Sequence, residues 1–216
     1  MPKLKPDIQR ARREHILDAA EQCFARAGFH RTTMHDICKE ASISPGALYV
    51  YFDSKEALIA GISERDRADF AERLAALAQA DDFLAALKEI GEHYFVHEPV
   101  YKRRMCIEIG IESTRNERVG AIVREVDDFV AKGFESLFQR MKDEGRITPD
   151  LDIYALTQTF LVIADGLFWR RAIDPTFDGG KLVPAVLQAI AALLKPVSDP
   201  GSQSNKAIRQ QDGDAS

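Results

Sequence analysis

Cysteine is scarce: Cys23, Cys38 and Cys106 are the only three in 216 residues, odd in number and without CxxC spacing. That excludes a disulfide framework and a zinc ribbon, and it suits a reducing compartment. Each falls at an apolar helical position, where buried packing is the plain explanation and a redox-sensing thiol the sharper one. Nine prolines and thirteen glycines act as punctuation, and neither strand-type alternation nor an internal repeat is present. Long apolar runs are missing too. The most hydrophobic stretch, Leu182 to Leu194, is too short to cross a bilayer, and the charged N-terminus lacks the apolar core of a secretory signal. A cytoplasmic protein with no membrane partner is expected.

Catalytic signatures are equally sparse. No glycine-rich phosphate loop, nucleophile elbow or HExxH occurs, and His35 neighbours Ser44 in sequence without any sign of a triad. An enzyme is therefore the rival class, not the favoured one, and no cofactor is expected. Glu89, His93 and His97 recur every four residues, which is metal-ligand geometry. A single helix offers all three and a surface face explains them as well, so no metal site is expected.

What is present is concentrated in Thr32 to Leu58. Thr33 with Asp36 three residues on makes a capping box, and Met34, Ile37, Cys38 and Ala41 follow as one apolar face. A tight turn at Ser42 and Ile43 leads to Ser44-Pro45, a helix start, since proline suits the first helical position. This second helix is expected to reach only Phe52, because Asp53 and Glu56 form another capping box. Helices joined so tightly cannot lie antiparallel; the arrangement is a helix-turn-helix of the DNA-reading kind.

Ser44-Pro45-Gly46-Ala47-Leu48-Tyr49, followed by Phe52, Lys55 and Leu58, resembles the signature of the TetR family of transcriptional regulators. The resemblance covers about the first quarter of the chain. It implies an all-α protein of about nine helices: an N-terminal three-helix DNA-binding domain joined to a larger helical body that binds a small ligand and forms a homodimer. Pro45 stands where the family commonly has lysine, and Ala47 where it often has threonine or asparagine, which bears on the DNA sequence read and not on the class.

The net charge of −5 does not by itself suggest nucleic acid. Its distribution says more: residues 1–60 hold nine Lys/Arg against eight Asp/Glu, leaving twenty against twenty-six for the rest. A balanced first domain on an acidic body would turn its basic end to phosphate. Lys3 and Lys5 sit in an expected loose arm, and Arg10, Arg12 and Arg13 lie on the first turns of a helix from Asp7 to Ala27 that Gly28 ends. The DNA-binding domain is placed at 1–53, the body at 54–196 and a polar, disordered tail at 197–216.

One helix from Asp53 to beyond Leu77 would belong to both domains and transmit a tilt between them. Further helices are expected over Asp82–His97, Val100–Glu112, a strongly amphipathic stretch to Gly145, Asp152–Ala172, and from near Pro184 to Lys195. The last two are apolar nearly all round and so need covering on every side, which points to a four-helix seam between two subunits. Relatives in the family dimerise through their last two long helices, which agrees.

The recognition helix holds no Arg, Lys, Asn or Gln between Ser44 and Phe52, so bidentate base readout, worth roughly 1–3 kcal/mol per contact, is absent from it. Ser44, Pro45, Gly46, Ala47 and Tyr49 are the candidates facing base edges. Thr33, Tyr49, Tyr51 and Lys55 are the candidates for phosphate, with the start of the next helix helping Lys55; core packing is the alternative for Tyr51. Two short helices from a dimer would read a palindromic operator in double-stranded DNA. For a small-molecule effector the candidates are Tyr94, Met105, Glu108, Glu112, Phe134, Phe138, Phe168 and Trp169, on segments that line pockets in relatives, although many such residues serve as plain core or surface. If Glu108 or Glu112 points inward, its carboxylate would favour a cationic or hydrogen-bonding ligand.

Overall fold

The structure is a computed structural model that describes residues 6–197. The arm at Lys3 and Lys5 and the tail from residue 198 onward lie outside the described residues. Val197 lies inside them and donates its amide to the Arg146 carbonyl (2.9 Å) beside the Ile147–Pro196 bridge. Among the described residues the chain forms nine α-helices: α1 (Pro6–Arg31), α2 (Met34–Glu40), α3 (Pro45–Tyr49), α4 (Lys55–Gln79), α5 (Phe83–Glu92), α6 (Val100–Ser113), α7 (Glu117–Asp143), α8 (Ile153–Ile173) and α9 (Gly179–Leu194). A π-helical turn, His93–His97, continues α5.

Capping chemistry sets the boundaries of the first domain. Gly28 breaks α1 with φ 76°, and Thr33 and Asp36 close a reciprocal capping box at α2. Ser42 takes a left-handed φ of 52° in the helix-turn-helix turn. The Ser44 hydroxyl then accepts the Ala47 amide (3.2 Å) with Pro45 at the first helical position. Ser44→Ala should therefore cost about 1 kcal/mol, read as a fall of roughly 2–4 °C in Tm by calorimetry.

Some boundaries differ from the sequence-based ones. Helix α3 stops at Tyr49 rather than Phe52, with a turn carrying the chain on. The cap of α4 is Ser54, whose hydroxyl accepts the Ala57 amide (3.2 Å), while Asp53 accepts from the Ser54 hydroxyl (2.9 Å). Glu56 is thereby free of capping and accepts from the Asn116 amide group on the far side of the domain junction (3.1 Å). Helix α9 starts at Gly179 under an Asp178 cap, five residues before Pro184.

Two cores result. The first joins Leu17, Phe24, Ile37, Leu48, Leu58 and Ile59 but also takes in Met105 of α6 and Val119 of α7, so the helix-turn-helix unit is packed onto the body. Arg65 of α4 strengthens this seam by binding Glu14, Asp18 (2.7 Å) and Glu21 of α1. The second core fills the far end with Leu77, Phe83, Phe134, Phe138, Phe160, Ile190 and Leu194.

Candidate nucleic-acid interface and effector crevice

The five-residue α3 presents most of itself to solvent. Leu48 is its buried anchor; Ser44, Pro45 and Gly46 are exposed, Ala47 is half-buried, and Tyr49 is 55% exposed. Val50, at 78% exposure, was absent from the expected contact set. Its signal was present, because Leu48 and Phe52 lie four apart and face inward, which turns the residue between them outward. An uncharged strip of hydroxyl, backbone and methyl groups can meet thymine methyls and phosphates in a major groove.

The flanking candidates are more constrained. Thr33 is exposed, but its hydroxyl donates to Asp36 (2.7 Å), and those bonds hold the Asp36 carboxyl below the usual range. Tyr51 is half-buried against the first core. The Lys55 ammonium donates to the Phe29 carbonyl and lies 4.2 Å over the Phe29 ring, and burial draws its pKa down. An ammonium carries three donors, so two remain for phosphate. Arg13 pairs with Glu64 and stacks on Phe52, and Arg10 pairs with Asp7, while Arg12 is exposed. His35 and Lys39 of α2 are exposed on the same unit.

The eight effector candidates do not share one place. Met105 belongs to the first core, and Phe134 and Phe138 stack in the second. Trp169 stands 50% exposed on the outer side of α8. Glu108 lies against Gly28, where an added Cβ would meet its carboxylate at 2.9 Å. Glu112 is buried at the domain junction, accepts from Arg115 (2.8 Å) and has the His30 ring nitrogen at 2.7 Å, so its carboxylate is already occupied. Burial raises its pKa, but the Arg115 hydrogen bond and the His30 charge outweigh that and hold the carboxyl below its usual range.

Tyr94 and Phe168 do meet. Their rings sit 6.1 Å apart edge to face, with Phe95 4.9 Å from Phe168 and the Arg103 guanidinium 4.4 Å from the same ring. Arg103 also pairs with Glu98, and the buried Arg171 donates to the carbonyls of Tyr94 (2.9 Å), Val96 (3.1 Å) and Glu98. The π-turn is thus pinned from below by Arg171. Burial pushes Tyr94 up to about 12 and also raises Cys106 and Asp66, although both of the latter are solvent-accessible. Both facts hold for groups enclosed on most sides and open to water on one. A pocket of about 590 Å³ adjoins, lined by Phe95, Val96, Val100, Ala172 and Phe177. Among the described residues no three His, Cys, Asp or Glu side chains converge on a metal position, and no helix is long and apolar enough to span a membrane.

A helix-turn-helix with an exposed recognition helix, packed onto a helical body with its own crevice, defines a DNA-binding transcriptional regulator. Comparison with known proteins agrees. The family model for bacterial regulatory proteins of the tetR family matches residues 16–62. The HTH-type transcriptional regulator UidR of Escherichia coli K12 is 34% identical over 166 residues, covering 72% of this chain and 79% of the relative. Among solved structures, Salmonella enterica GusR is 28% identical with a TM-score of 0.70, over 86% of this chain and 96% of that one. The SmeT–triclosan complex shares the fold at 24% identity and a TM-score of 0.73, over 88% and 93%. The chain belongs to the TetR family and is a helix-turn-helix transcriptional regulator.

Proposed function

We propose that two copies of this chain join along the outer faces of α8 and α9, bind a palindromic operator as a repressor, and release it when a small effector enters the crevice at Tyr94 and Phe168. The observation that carries the reading is an apolar stripe along α8. Tyr154 (67%), Val162 (68%), Trp169 and Ile173 are exposed at helical spacing on one face, and Leu182, Ala185, Ala189 and Ala192 are exposed on the neighbouring α9. A five-residue helix without charged side chains is too small to hold a specific site alone, and a two-fold pair doubles it.

Ser44, Pro45, Gly46, Ala47, Tyr49 and Val50 face the bases in this reading, and Thr33, Tyr51 and Lys55 the phosphates. The pocket beside these rings, which Phe95 and Arg171 line, has a volume in the usual range for small-molecule sites, and the fold neighbour SmeT holds triclosan. A coupling of about 1–3 kcal/mol between the sites suffices to change operator affinity roughly five- to 150-fold. The chain needs no metal, cofactor or catalytic group for this, and it works in the cytoplasm.

Selection from a random duplex pool should return an inverted repeat bound by two chains in native mass spectrometry. A monomer with no preference among duplexes would refute the proposal. Lys55→Ala should weaken operator and random DNA alike and flatten the salt slope by about 0.9 for each phosphate lost. An unchanged slope would remove Lys55 from the phosphate contacts.

A further inference from the structure

Residues 33–54, the whole of α2, α3 and their turns, hang from two points. One is the segment Gly28–Thr32 at the end of α1, and the other is Lys55 at the first turn of α4. Both converge on a single group of the body. The Glu112 carboxylate, on the last turn of α6 and 3% exposed, takes the His30 ring at 2.7 Å. Lys55 binds the carbonyl of Phe29 next to that histidine, and its ammonium lies within the field of the same carboxylate. Arg115 also binds Glu112, but it comes from the same turn, so His30 is the partner that crosses the junction. The backbone carbonyl of Glu112 accepts the Asn116 amide (2.9 Å), and the Asn116 side chain reaches Glu56 of α4 (3.1 Å). Gly28 completes the arrangement: its φ of 76° and the Glu108 carboxylate beside it leave no room for a side chain.

We infer that Glu112 is a positioning residue for operator binding: through His30 it fixes both ends of the helix-turn-helix to the end of α6. It touches no DNA. Any displacement of α6 by an occupied pocket, which Val100 and Arg104 of the same helix line, pulls directly on the segment that starts α2. The inference deepens the operator reading proposed above and rests on it.

The test uses the duplex returned by selection, a random duplex and four chains: wild type, Glu112→Gln, His30→Ala and the double variant. Each single change should weaken selected-duplex binding roughly five- to 150-fold, the range of site-to-site couplings. The double should be no worse than the worse single, because one interaction is removed either way. Random-duplex affinity and salt slope should stay at wild-type values, and His30→Lys, which places an ammonium donor opposite the carboxylate, should restore most of the loss. His30 is 60% exposed at its side chain, so its variants carry the test even if Glu112→Gln fails to fold. Additive losses, a changed salt slope or unaltered selected-duplex binding would overturn the assignment while leaving the operator reading in place. A wild type without preference among duplexes overturns both.

Discussion

Val162→Arg is expected to give a folded monomer that no longer prefers any duplex. Val162 is 68% exposed near the middle of α8, between Tyr154 on one side and Trp169 and Ile173 on the other, and faces solvent among the described residues. In a two-fold interface the substitution enters twice, and each guanidinium would be taken out of water without a carboxylate arranged to receive it. The effective cost of such burial is several kcal/mol per ion, so a dimer dissociation constant should rise by at least about 10³-fold. Within the monomer the new side chain stays in solvent, and Tm of the isolated chain should hardly move. Sedimentation velocity at micromolar concentration reads the outcome directly. A variant that remains dimeric would show that α8 is not the seam, and operator binding would then need another explanation for its symmetry.

How far the sequence led depended on whether the deciding contact was local. Thr33 with Asp36, Ser44 with Pro45, and Asp152 as the cap of α8 are contacts within four residues, and each appears in the structure as its spacing implies. Pro184 shows the limit of such signals. Proline is usual at a helix start and so marks one near residue 184, yet Asp178 caps the helix at the Lys181 amide (3.2 Å) and Gly179-Gly180 open it. Gly179 is small because α9 begins against the backbone of Phe95, where a Cβ would collide with its carbonyl oxygen.

The candidate sites divide in the same way. The exposed strip on α3 was legible from four-residue spacing, even though Val50 was passed over. The effector residues were not, because membership of a crevice depends on contacts across 70 or more positions. Arg171, which pins the π-turn by its carbonyls, sits 73 to 77 residues from its partners and carries no local mark. Glu112 illustrates the point most sharply. A lone acid on an otherwise mixed helix looks like a ligand contact; Arg115 three residues on hints at a pair, and the position of His30, eighty-two residues earlier, shows that the carboxylate is held across the junction.

Leu48→Ala should abolish DNA binding while leaving the body intact. Helix α3 has five residues, far fewer than the roughly 12–15 at which a helix begins to hold itself in water, so its position is set by what it buries. That is Leu48 alone, with no exposure, packed in the core that includes Phe24, Ile37 and Leu58. Truncation removes three carbons from a fully enclosed site and should cost about 2–5 kcal/mol. The Ser44 cap, worth about 1 kcal/mol, cannot offset that loss. The second core shares no residue with the first, so helices α5, α7, α8 and α9 should keep their cooperative unfolding. Hydrogen exchange should show protection lost across residues 42–52 and retained in α7 and α8, with selected-duplex binding gone in the same sample. Uniform loss of protection along the chain would mean that the two cores unfold as one, and that α3 draws its stability from the whole body and not from one leucine.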